Sequence, residues 1–65
     1  MNREIRDLGQ ELARDYGRFV LEGPNRQIMR AALLQAGLPV TAGSMDLLEM
    51  EIRSSLGLPY VDRED

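Results

Sequence analysis

The sequence predicts an all-α fold, a small three-helix bundle with short loops. Three observations carry that prediction. Apolar residues recur at three- and four-residue steps in three separate segments, glycine–proline stop signals separate those segments, and nowhere do apolar and polar residues alternate as a half-buried strand requires. Sixty-five residues allow one domain. The bundle is read as residues 1–58, followed by a short polar C-terminal tail, 59–65, expected to fray or extend.

The first helix is expected over residues 3–22. Ile5, Leu8, Leu12, Tyr16, Phe19 and Val20 share one arc of a helical wheel, whereas Arg3, Glu4, Asp7, Glu11, Arg14, Asp15 and Arg18 lie opposite. The charged face offers the i,i+3 pairs Glu11–Arg14 and Asp15–Arg18. On this reading Gly9 and Gly17 are helix-interior glycines, each costing ~1 kcal/mol relative to alanine. With Ala13 they make a line of small residues at four-residue spacing along which a neighbouring helix can approach. Packing within the monomer is the preferred explanation, with a contact between chains as the second. Glu22-Gly23-Pro24-Asn25 then breaks the helix, because glycine suits the residue after a helix and proline or asparagine suits the start of the next.

Helix two follows over about residues 25–36, with Ile28, Met29, Ala32, Leu33 and Ala36 toward the core. Its outer face has Arg26, Gln27, Arg30 and Gln35, and Leu34 falls among them. Gly37-Leu38-Pro39 is a stop signal with a mechanism. Glycine takes the left-handed conformation, leucine folds back toward Leu33, and proline forbids continuation. The same triplet recurs as Gly57-Leu58-Pro59, with Ile52 as the partner expected for Leu58. Helix three is expected over about residues 44–56, capped by Ser44 and with Asp46 in the first turn, where the helix dipole favours an acid. Met45, Leu48, Ile52 and Leu56 form its core stripe.

Composition narrows the functions available. The chain has no cysteine, histidine or lysine, which removes disulfides, thiolate metal sites and the commonest catalytic bases, nucleophiles and Schiff-base donors. Ser44, Ser54 and Ser55 have no base to activate them. Glu49 and Arg53 form an i,i+4 ion pair, and neither Asp46, Glu49 and Glu51 nor the acids of the tail match a metal-loop spacing. The expectation is a non-enzyme without cofactor, metal or small-molecule substrate. No apolar run is long enough to cross a bilayer and the N-terminus lacks a secretory h-region, so a cytoplasmic location is expected.

Charge bears on nucleic acid. The net charge is −3, distributed as six arginines against five acids in residues 1–30 and two against six in residues 31–65. Gln35–Ile52 reads as helix end, loop and helix start, the arrangement of a helix-turn-helix, and Ala32 and Gly37 suit that motif. Gly43 and Asp46 occupy offsets where it needs apolar residues. The segment Gly37-Leu38-Pro39, then Thr41–Ser44, then Asp46-Leu47-Leu48-Glu49 also resembles the middle of SAP and LEM-type helix–loop–helix modules over some twenty residues. SAP modules that bind DNA use basic residues in and around this loop, and residues 40–44 contain none, so the resemblance brings no DNA-binding function with it. A helix presenting Asp46, Glu49 and Glu51 to phosphates would repel them. Helix-turn-helix or SAP-like nucleic-acid binding is therefore the alternative reading only.

The preferred reading comes from apolar residues that fit no core face. Leu47 and Met50 project opposite the core stripe of helix three, with Ser54 beside them; Leu34 lies on the polar side of helix two, Leu21 on that of helix one, and Tyr60 and Val61 are in the tail. A bundle of three helices needs one buried stripe per helix, and a chain this short is marginally stable alone. Leu34, Leu47, Met50, Ser54, Tyr60 and Val61 are accordingly the candidate partner-binding residues. The expected function is a small non-catalytic protein–protein interaction module. It would act as a homodimer or as a regulatory subunit or inhibitor docking on a larger protein, of the kind phages and mobile elements encode. A second alternative is an accessory subunit of an enzyme complex.

Overall fold

The computed structural model describes residues 3–58. Three α-helices, α1 (Arg3–Tyr16), α2 (Arg26–Gln35) and α3 (Ala42–Ser55), form an all-α bundle without a strand among the described residues. Two short 3-10 segments, Gly17–Leu21 and Gly23–Asn25, join α1 to α2. The tail lies outside the described residues.

The first helix ends earlier than its periodicity suggests. Gly17 takes φ +61°, the left-handed conformation that closes an α-helix, so it is a terminator and not a member of a helical small-residue line. The tighter 3-10 winding beyond it rotates the following side chains away from the 3.6-residue register. Val20 is fully buried and Leu21 packs against the core, whereas Phe19 turns outward; Tyr16, the last residue of α1, is exposed as well. Tyr16 and Phe19 therefore leave the expected core face, and Leu21 leaves the expected polar one. The Asn25 side-chain amide donates to the Phe19 carbonyl at 2.9 Å and holds the two 3-10 segments together.

The core joins Ile5, Leu12 and Ala13 of α1, Val20 of the first 3-10 segment, Met29 and Leu33 of α2, and Met45, Leu48 and Ile52 of α3. Burying one such large side chain contributes roughly 1.5–3 kcal/mol. The dominant packing is α1 against α3, and α2 with the 3-10 segments closes the remaining side. Gly9 explains how α1 comes so close. A Cβ there would fall 2.6 Å from Glu51 Cβ and 3.3 Å from the Glu51 carbonyl carbon and Ile52 nitrogen. Gly9 and Ala13 are both buried, so these two small residues pack within the chain.

Helix α2 starts at Arg26 and is followed by Ala36 as its C-cap, which is exposed and not part of the core. Both stops have the anticipated left-handed glycine and its hydrogen bonds, whereas Pro59 lies outside the described residues and Leu58 is not among the residues packed against the core. Gly37 has φ +75°, its N–H donates to the Leu34 carbonyl at 3.1 Å, and the Leu38 N–H donates to the Leu33 carbonyl at 2.9 Å. Leu38 then packs against the core. Gly57 repeats the motif with φ +73°, Gly57 N–H to Ser54 at 3.1 Å and Leu58 N–H to Arg53 at 2.8 Å.

Helix α3 begins at Ala42, two residues before the expected start, and its N-cap is Thr41. Extended Thr41 accepts a hydrogen bond from the Ser44 N–H at 3.1 Å, leaving Ser44 as a buried first-turn residue. The Thr41 hydroxyl also donates to Ser44 Oγ at 3.2 Å. Thr41, four residues ahead of the core methionine Met45, outcompetes the serine because Ser44, once inside the first turn, is both satisfied and covered.

Candidate functional site

The helical repeat of α3 places its side chains on two faces. At about 100° per residue, Met45, Leu48 and Ile52 fall on one arc and Gly43, Leu47, Met50 and Ser54 on the arc opposite. The first set is buried, and all four residues of the second are exposed. Leu47 retains 46% of its accessible surface and Met50 retains 37%. Because apolar residues stand on both sides, α3 is much less amphipathic than α1.

Leu34 is 71% exposed, the most exposed of the large apolar residues in the described chain. It sits with Arg30, Ala31 and Val40 around a shallow opening of about 300 Å³ at the α2–α3 connection. The structure thus groups Leu34 with Val40 rather than with the α3 pair, and Val40 is a member of this patch that the sequence reading passed over. Ser54 extends the Leu47–Met50 row toward the C-terminal end of α3. Tyr60 and Val61 lie outside the described residues.

A second feature was missed altogether. An open groove of about 490 Å³ runs between α1 and α2, floored by Leu8, Leu12, Ile28 and Ala32 and bordered by Tyr16, Glu11, Asp15 and Gln35. Tyr16 is 44% exposed at its edge, and Phe19 is 52% exposed beyond it. The signal that could have revealed them was Gly17, read as a terminator instead of a helix-interior residue.

Electrostatics around α3 also differs from a simple row of carboxylates. Glu49 accepts from Arg26 at 3.2 Å and from Arg53 at 3.3 Å, so it ties α2 to α3 and its charge is compensated. Glu51 is half-buried beside Gly9. Of the three acids of this helix only Asp46 is exposed, and it forms no ion pair among the described residues, although Arg26 and Arg30 border the same opening. On α1, Arg14 meets its neighbour Asp15 at 3.7 Å rather than Glu11. The exposed arginines of α1 are interleaved with Asp7, Glu11 and Asp15 and do not form a continuous cationic stripe.

No group of three or more acids converges as a metal site among the described residues, and no described helix is long and apolar enough to cross a membrane. The described surface presents exposed leucine, methionine and aromatic side chains framed by separate charges. Comparison of the chain with protein-family models, with characterised proteins and with solved structures finds no match.

Proposed function

We propose that this protein is a small, non-catalytic helical module that binds another polypeptide, as a homodimer or as a regulatory or inhibitory subunit. The observation that carries this reading is the second apolar face of α3. Leu47 and Met50 stay accessible on a helix whose opposite face already supplies the core. A lone exposed leucine is ordinary on any protein surface. Two large apolar residues one turn apart, extended by Gly43 and Ser54, make a row suited to a second helix. Methionine adapts readily to a partner's contours.

The test is co-purification after cross-linking in the native host, comparing wild type with Leu47→Asp/Met50→Asp. Both sites are exposed, so the variant keeps the wild-type circular dichroism spectrum while losing the cross-linked partner or self-adduct. Retention of the same adducts by a folded double variant would refute the reading. Arg26 and Arg30 beside the start of α3 are the features that favour the nucleic-acid alternative, with Asp46 opposing them in the same place. That alternative requires duplex affinity that falls steeply with salt.

A further inference from the structure

We propose that the outer face of α3 pairs antiparallel with the same face of a second copy of this chain, in a two-fold symmetric and weak dimer. This rests on the protein-binding reading above and names its partner and geometry. Gly43, Leu47, Met50 and Ser54 are spaced four, three and four residues apart, the spacing of one seam of a helix–helix interface, and all are exposed. The row spans about 16 Å of helix at 1.5 Å per residue. Gly43 is exposed, and a Cβ there would meet only Thr41 Oγ1, at an ordinary 3.9 Å, so this end of the row stays accessible.

The flanking charges select the direction. On the α2 side of the row stand Asp46 and Arg53, and on the α1 side Ser44 and Glu51. In a parallel pair, residues flanking one side of the seam meet the opposite flank five residues on, which would set Asp46 against Glu51 of the other copy, a like-charge contact. In an antiparallel pair, equivalent flanks meet each other. Leu47 then packs on Met50 of the second copy, Gly43 lies across from Ser54, and Asp46 faces Arg53. Symmetry makes that ion pair twice, and on the other flank Ser44 is buried within its own chain, so no like charge stands opposite Glu51. Asp46 has no ion-pair partner within its own described chain, and Arg53 engages Glu49 through Nε, leaving its terminal nitrogens outside that bond. The close approach allowed by Gly43 lets the helices meet at the ends of the seam as well as at its centre. A single-helix seam is smaller than the roughly 1,200 Å² of a stable interface, so the dimer belongs to the transient class.

The experiment uses the full chain, which is free of cysteine, with Gly43→Cys and Ser54→Cys as single variants under mild oxidation at high micromolar concentration. The antiparallel pairing predicts a disulfide-linked dimer when the two variants are mixed and little from either alone, since like positions lie about 16 Å apart along the axis. Self-linking of each variant would mean a parallel pair and would overturn the geometry. Sedimentation equilibrium supplies the second arm. Asp46→Arg or Arg53→Asp alone weakens association at least tenfold at low salt, and the combined swap restores it, a rescue that loss of folding cannot imitate. Wild type that stays monomeric to millimolar concentration overturns the self-pairing. In that case an adduct that still disappears in Leu47→Asp/Met50→Asp cells retains the broader protein-binding reading.

Discussion

Replacing Gly9 by alanine should destabilise the protein, although the same change in an exposed helix would stabilise it. Helix propensity favours alanine over glycine by ~1 kcal/mol. Against it stands the α1–α3 crossing, where the added methyl would lie 2.6 Å from Glu51 Cβ and 3.3 Å from two backbone atoms of α3. Carbon atoms pack at about 3.5–4.0 Å, so the helices must separate by roughly 1 Å, and that loosens Ile5, Leu12 and Ile52 in the core. Overpacking of this kind costs ~1–3 kcal/mol, and the balance is a net loss of ~1–2 kcal/mol. For a domain this small, each 1 kcal/mol moves the melting temperature by about 4–8 °C. Thermal and urea unfolding followed at 222 nm, at a concentration too low for self-association, reads the effect directly. The double variant Gly9→Ala/Glu51→Gly removes the Cβ that is struck, so it should show a favourable coupling of at least ~0.5 kcal/mol relative to the two single changes. A rise in melting temperature for Gly9→Ala, or strict additivity in the cycle, would show that the helices are not in contact at this point.

Other perturbations separate the remaining parts of the fold. Gly17→Ala, which meets no steric obstacle but must hold φ near +61°, should cost about 1 kcal/mol through backbone strain alone; unchanged unfolding would contradict a left-handed residue at this position. Thr41→Ala removes the acceptor for the Ser44 N–H and should cost ~1 kcal/mol, whereas Ser44→Ala should leave that cap in place; urea midpoints that rank the two in the opposite order would restore Ser44 as the cap. Leu48→Ala, at a fully buried site, should cost ~2–5 kcal/mol, while Leu34→Ala should stay within about 0.5 kcal/mol of wild type at low concentration. Equal losses at the two leucines would mean that α2 is not oriented as described.

Much of this architecture was legible because it depends on local chemistry. Gly37-Leu38-Pro39 and Gly57-Leu58 encode their own hydrogen-bond pattern, since a glycine at positive φ lets its own N–H and the one after it reach the last free carbonyls of a helix. The stripe Met45–Leu48–Ile52 is a property of the 3.6-residue repeat, and burial follows once any neighbour packs there. Leu34, Leu47 and Met50 could be picked out as leftovers by the same geometry, because a side chain opposite the core stripe of a short bundle has nothing of its own to meet.

The rest is decided where segments compete or meet. Residues 3–22 fit one uninterrupted helix on periodicity alone. A glycine at the seventeenth position is a modest cost inside a helix and an advantage at its end, and only the packing of Val20 and Leu21 into the core selects the end. The same competition moved the cap of α3 from Ser44 to Thr41, since burial of Ser44 is available only with α3 docked. The bridge from Arg26 to Glu49 and the groove between α1 and α2 join residues far apart in sequence, with no periodicity to announce them. By itself, then, the sequence determined how many helices there are, how two of them stop and which faces are apolar, because those are short-range consequences of side-chain spacing and backbone stereochemistry. Where α1 ends, how closely it lies on α3 and that Tyr16 and Phe19 stay uncovered while Leu21 is packed belong to the tertiary structure, because each is the outcome of surfaces that do not exist until the helices have docked.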